Sequence, residues 1–337
     1  MPPEFDNHMV SIEILKAMYV SMVRIRRTEE RVSDLVLNGE IRCPCHLCIG
    51  QEAVAAGVCA VLRREDYVFG AHRSHGHYLA KGGNLKEMMA ELFGKSTGCA
   101  KGRGGSMHLV APEVGILGTV PIVAATIPMA VGTALASRLK GDGRVSVTFF
   151  GDGAVDEGTF HESMNLAASR ILPVVFVCEN NLYSSHLHLL ERRAQDNIVQ
   201  SAEAHGMPGI CIDGNDAVEV YRAANAAVSR ARRGEGPTLI ECRTYRWRGH
   251  VGPSDDLHLS VRREDETEEW RRKDPVLRMR LLLLGDGVPS DEVDGIAAEI
   301  ELEVEAAVEF ARQSPYPKVD ELNDFLFKEI ESRGAAH

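Results

Sequence analysis

"GDGAVDEGTFHESMNLAASRILPVVFVCENNLY", residues 151–183, sets an aspartate, Asp152, between two glycines and reaches Asn181 29 positions later. The apolar run "RVSVTFF" (144–150) leads into it, a helical pattern covers 156–170, and a second run, "PVVFVCE" (173–179), precedes the two asparagines. Strands that read as continuous apolar runs and are joined by helices belong to a parallel sheet covered on both faces. Ligands of such a sheet sit at the carboxyl ends of its strands, where the next helix offers free N–H groups to an anion. A bare carboxylate there would repel a phosphate. Asp152 therefore implies a cation between the two, Mg²⁺ or a similar hard ion, with an amide oxygen from Asn181 and a backbone carbonyl from Tyr183 completing the protein's share. A dinucleotide turn is the competing reading, with Glu179 as the acid ending the next strand. Asp156 stands where the third glycine of that fingerprint belongs.

Outward from this stretch the alternation continues, with helices over 128–139 and 216–232 and a strand over 237–245. Upstream, apolar positions from Ile12 to Leu35 recur at helical spacing and Gly39 supplies a stop, predicting a helix over 11–37. A second helix over 51–62, a strand over 66–70 and short helices over 74–81 and 85–93 follow, and then a loop over 94–108 with five glycines. These patterns divide the chain into an N-terminal helical segment (1–65), a diphosphate-binding α/β domain (66–262) and a C-terminal helical segment (263–337).

The 337 residues, 44% hydrophobic and 26% charged, suffice for a full core. A net charge of −11 argues against nucleic acid or an anionic membrane as the main partner, because phosphate surfaces select clustered Lys and Arg. The opening "MPPEFDNHMV" has neither the apolar core of a secretory signal nor the arginines of a transit peptide, so a cytoplasmic location is expected. Eight cysteines are too few for a disulfide scaffold. The cluster "CPCHLC" (43–48) has zinc-ligand residue types at a spacing that fits a zinc motif poorly, and reads as buried thiols. Val114–Ser137 carries no charge for 24 residues, but Pro121, Pro128 and three glycines break it into a buried loop followed by a core helix rather than a membrane span.

Taken together with "CHLCIGQEAVAAG" (45–57), "AHRSHGH" (71–77), "GCAKGRGGSMH" (98–108), "GPTLIECRTYRWRGH" (236–250) and "KDP" (273–275), the "GDG…ENN" segment resembles the alpha subunits of the thiamine diphosphate-dependent first component of 2-oxo acid dehydrogenase complexes. The resemblance spans about residues 10–275. It implies an α/β thiamine diphosphate-binding fold, a parallel sheet with helices on both faces plus helical extensions at both ends. Asp152, Asn181 and the Tyr183 carbonyl would hold Mg²⁺, Gly151, Gly153 and Ala154 would meet the diphosphate, and Arg73 would clamp it. His72 stands where pyruvate enzymes usually have tyrosine, as in relatives that resemble acetoin dehydrogenases. Ala111, Ile122 and Val123 would complete the cofactor contacts, with His46 and His250 over the thiazolium. His250, then His46 or His75, are the candidates for proton transfer, on the expectation of a histidine titrating near its working pH.

The same resemblance places a catalytic glutamate and the pyrimidine-binding half on a separate beta subunit, and so implies half an active site, an α₂β₂ assembly and a lipoyl-bearing acyltransferase beyond it. Split transketolases and other carboligating thiamine enzymes are the alternative within the cofactor class. Val251 replaces the regulatory serine of animal members, leaving Ser254 and Ser260 in the loop. His186 and His188, just behind Asn181, would read a polar substrate or line a subunit contact.

Overall fold

The computed structural model describes residues 10–259 and 261–324; the first nine residues of the N-terminal stretch and Ser260 lie outside them. Among the described residues, one parallel sheet contains β1 (Tyr67–Gly70), β2 (Ile116–Thr119), β3 (Ser146–Gly151), β4 (Val174–Asn180), β7 (Gly209–Asp213) and β8 (Thr238–Arg243) in the order β2-β1-β3-β4-β8-β7. Two short strands, β5 (Tyr183–Ser184) and β6 (Leu187–His188), pair as a separate hairpin. From β1 the chain first adds β2 on one side, then β3 and β4 on the other, so the strand order reverses between β1 and β3. That reversal opens a crevice at the carboxyl ends of the two strands.

Both faces of the sheet are buried, which is why its central strands are rich in apolar residues on both sides. Val147, Phe149, Val175 and Val177 belong to one core cluster, whereas their neighbours Phe150, Val174, Phe176 and Cys178 belong to a second. Successive side chains of a strand point to opposite faces, so the two clusters are the two layers of helices. The first layer takes residues from the helices Ile12–Leu37, Glu52–Cys59, Ala217–Arg232 and Ser290–Gln313. The second takes Ile127, Ala130 and Ala134 from Thr126–Lys140 and Phe160 and Met164 from Gly158–Ser169.

β2 departs from the expected loop over the first part of 114–125. Its "ILGT" is short, sits at the sheet edge and contains a glycine, so it lacks the apolar run that marks the central strands. Gly115 before it has φ +86°, and a Cβ there would meet the Asp66 carbonyl oxygen at 2.1 Å, so only glycine lets β2 lie this close to the start of β1. Among the described residues no helix is long and apolar enough to cross a membrane. All eight cysteines are free.

Candidate active site

A cleft lies at the crevice, the position that cofactor sites favour in such sheets. The segment after β1 contributes His72 and Arg73, and the turn after β3 contributes Gly151, Asp152, Gly153 and Ala154. The segment after β4 adds Asn181 and Tyr183, Val123 comes from the stretch after β2, and His46 and His250 close the wall. Residues far apart in the chain thus meet because parallel strands deliver all their carboxyl ends to one edge.

Asp152 begins a 3₁₀ turn after β3 and is 1% exposed. Burial pushes its carboxyl up from the ordinary aspartate range; the Arg192 guanidinium and the backbone N–H groups of Asp152 and Asn181 pull against that. Arg192 bridges Asp152 and Asp156, and Arg193 donates to Asp156 at 3.0 Å. A cation is therefore already present at this carboxylate, supplied by the chain itself. Asn181 Nδ2 donates to Gln51 Oε1 at 3.4 Å, while Oδ1 accepts from the Tyr183 N–H at 3.4 Å and keeps a second lone pair. Carboxylate, amide and carbonyl oxygens together make an all-oxygen donor set suited to a hard cation.

The turn also fits a diphosphate. A Cβ on Gly153 would stand 2.5 Å from Ser184 Oγ, so the backbone there is approached as closely as only glycine permits. Gln51 Nε2 and His77 Nδ1, both on cleft-lining residues, are buried without a hydrogen-bond partner. Ala124, Leu182 and Ser185 take left-handed φ values of 63°, 72° and 52° beside the cleft, a strain that accumulates where a surface is shaped for a ligand.

In the same cleft, His46, His72 and His250 lie side by side with ring centroids 4.7, 5.0 and 5.4 Å apart. Burial, then the Arg73 charge, draws His46 down to about 3, His72 to about 2 and His250 to about 4. All three are neutral imidazoles at pH 7 in this chain, contrary to the expectation of titration near the working pH. Arg73 ties the loops that carry them, donating to the Leu47 carbonyl at 2.5 Å and the His250 carbonyl at 3.2 Å. The expected diphosphate clamp is thus 6% exposed, engaged with two carbonyls, and part of the cleft lining. Asp256 accepts from the His250 N–H at 2.7 Å. Gly50, at φ +96°, lets the His46 loop pass Tyr245 and Trp247, which a Cβ would meet at 2.6 Å.

Three expected residues do not line the cleft. His75 is fully buried between Glu29, 2.9 Å from Nδ1, and Ser106, 2.7 Å from Nε2. Ala111 bridges Ile116 at the start of β2, and Ile122 is 69% exposed. His188 caps the short helix Leu189–Arg192 by accepting from the Leu190 N–H at 3.2 Å. His186 is exposed, with Nε2 3.6 Å from Asp256. Ser254 donates to Asp256 at 3.4 Å.

Several wall residues were not foreseen in this role, Glu179 being expected only as the acid of the competing dinucleotide turn. Gln51, His77 and Glu179 line the cleft, with His77 stacked on Phe149 and its Nε2 3.1 Å from Glu179. Arg246, 1% exposed, donates to the Ser185 carbonyl at 2.6 Å and the Arg248 carbonyl at 3.0 Å, pinning the β5 segment to the loop that carries His250. Burial, then the charges of Arg73 and Arg262, push Arg246 down to about 9.

Comparison with known proteins agrees with this arrangement. A family model described as the dehydrogenase E1 component matches residues 20–320. The alpha subunit of acetoin:2,6-dichlorophenolindophenol oxidoreductase from Bacillus subtilis (strain 168) is 43% identical over 94% of this chain and 94% of its own length. The alpha subunits of the pyruvate dehydrogenase E1 component from Porphyra purpurea and Zymomonas mobilis are 39% and 38% identical over 93% and 96% of this chain and 92% and 91% of their own. This chain belongs to the dehydrogenase E1 component family.

Proposed function

We propose that this chain is the alpha subunit of a thiamine diphosphate- and Mg²⁺-dependent dehydrogenase component that cleaves a 2-oxo acid or acetoin and passes the acyl unit to lipoamide. The observation that carries the reading is one cleft lined both by the oxygen donors Asp152 and Asn181 and by three imidazoles. Asp152, Asn181 and the Tyr183 carbonyl would hold the metal, and the backbone of Gly153 and Ala154 would meet the diphosphate. When bound, thiamine diphosphate supplies the electron sink for breaking the bond beside a carbonyl.

The chain's own residues bind, orient and move protons. His250, unprotonated at neutral pH, would accept a proton from a substrate hydroxyl and return it, with Asp256 fixing its backbone. His46 and His72 would hydrogen-bond the substrate oxygen. Arg73 and Arg246 give the wall a positive potential that favours an anionic or carbonyl-bearing substrate. Ile122 and Val123, 69% and 48% exposed at the same edge, offer apolar surface for a beta subunit, consistent with an α₂β₂ assembly that seals the cleft.

The test is turnover of pyruvate, branched 2-oxo acids and acetoin by the chain co-expressed with its beta subunit, read with an artificial electron acceptor and then with lipoamide. Turnover that needs both thiamine diphosphate and Mg²⁺ is expected. Turnover without thiamine diphosphate, or carboligation with no reduction of either acceptor, would contradict it.

A further inference from the structure

His46, His72 and His250 come from the loop before the helix Glu52–Cys59, the segment after β1 and the segment after β8. One ligand nitrogen from each lies within 4.8 Å of the others. Their rings are inclined at 70°, 80° and 51° rather than stacked flat on one another. His46 is 8% exposed and its Nδ1 is buried without a partner, a donor or acceptor with nothing yet to bind.

We propose that His46, His72 and His250 form a nitrogen-only metal site that takes a borderline divalent ion such as Zn²⁺, distinct from the oxygen site around Asp152. Three histidines and an open fourth position are the donor set of zinc centres that keep a place for water or substrate. A tetrahedral ion with Zn–N bonds of about 2.0–2.1 Å needs its ligand nitrogens about 3.4 Å apart. Closing from within 4.8 Å requires side-chain rotation of roughly an ångström, with no refolding of the loops that Arg73 and Asp256 hold.

Ligand chemistry sorts the two ions. Mg²⁺ demands oxygen and dehydrates reluctantly, so it favours Asp152 and Asn181; imidazole nitrogen suits Zn²⁺, Co²⁺ and Cu²⁺. Among the described residues no carboxylate joins the three histidines, and Arg73 and Arg246 act on them, so the bound ion keeps its full charge against positive surroundings. Affinity is therefore expected in the micromolar range rather than at the level of structural zinc. An ion there would take the lone pairs that the proposed proton transfers need, so its consequence is reversible inhibition. That consequence rests on the proposed function; the binding does not.

Two other sets compete for the same ion. His161 Nδ1 and His205 Nε2 lie 3.4 Å apart at the surface, and Cys43 and Cys45 Sγ lie 3.9 Å apart. The experiment therefore titrates Co²⁺ alone into the full-length chain carrying His161→Ala, following the visible bands of tetrahedral cobalt and the near-ultraviolet bands of thiolate ligation. One equivalent with nitrogen-type bands, displaced by Zn²⁺ and untouched by millimolar Mg²⁺, is expected. His72→Phe keeps the ring volume and His46→Gln a polar tip. Each removes a ligand, and should weaken binding by more than the roughly 10- to 100-fold that outer partners of metal sites are worth.

Circular dichroism checks that the variants fold, and His188→Ala, which alters a histidine outside the trio, should leave the affinity unchanged. Thiolate bands, displacement by Mg²⁺, or unchanged affinity in folded His72→Phe would overturn the site. Because binding is read without substrate, failure of the proposed activity would leave this result standing.

Discussion

Replacing Arg192 by glutamine should tighten Mg²⁺ binding. The Arg192 guanidinium bridges Asp152 and Asp156, and its side chain is 11% exposed against 1% for Asp152. A metal ion that takes the Asp152 carboxylate must displace this guanidinium, so the two cations compete for one oxygen. A hydrogen bond between charged groups contributes about 1.5–3 kcal/mol net, which corresponds to a competition factor of roughly 10- to 150-fold. Arg192→Gln keeps much of the length but removes the charge, and the dissociation constant for Mg²⁺ should fall by about that factor.

The assay is a Mg²⁺ titration of the assembled complex at saturating thiamine diphosphate, read by tryptophan fluorescence. The pH dependence has a definite sign. The Asp152 carboxyl is raised above its ordinary value, so the metal-free fold binds more protons than the unfolded chain in that window and loses stability as pH rises through it. Mg²⁺ competes with the proton, so its affinity should rise over the same window. Because glutamine removes an opposing charge, the window should move upward in the variant. Unchanged or weaker Mg²⁺ binding in a folded Arg192→Gln protein would refute the competition and assign Arg192 to the bound diphosphate instead.

His250→Ala should leave cofactor affinity near normal and slow turnover by about 10²-fold or more, measured as kcat with saturating substrate; full activity would remove it from proton transfer. Gly153→Ala should weaken thiamine diphosphate binding in calorimetry, because its Cβ would stand 2.5 Å from Ser184 Oγ and displace the segment covering the turn. His75→Gln should lower stability by about 3–5 kcal/mol in denaturant unfolding, since Glu29 would remain buried with its charge unpaired. The Glu29 partner raises His75 against the opposing effect of burial. Its contribution is therefore fully present below the unfolded histidine value and lost as pH rises through the higher folded one. The variant should show a shallower loss over that range.

The sheet centre was legible because β3 and β4 are buried on both faces, so that Val147, Phe149 and Phe150 in β3 and Val174 to Cys178 in β4 supply apolar side chains to both layers. β2 and β7 were not, because both are edge strands: "ILGT" is four residues with a glycine, and "GICID" is half exposed. Asp152 and Asn181 could be read because each ends an apolar run, and the end of a parallel strand is where ligands bind. His75 misled because it lies two residues beyond Arg73, yet it opens the helix His75–Ala80 facing Glu29 rather than the cleft. Gln51 and His77 announce nothing locally; their place depends on tertiary contacts with Asn181 and Glu179. Arg192 sits in an ordinary "ERR" run 40 positions after Asp152, and only the fold of the β5–β6 segment brings the two charges together.

The central claim is that this chain carries the metal- and diphosphate-binding half of a shared thiamine site. Calorimetric titration of thiamine diphosphate, with and without Mg²⁺, into the chain alone and into the chain co-purified with its beta subunit tests it most directly. Binding that requires both the metal and the partner, and that is lost in Asp152→Ala, is the predicted result. Metal-independent binding, or equally tight binding by the lone chain, would contradict it.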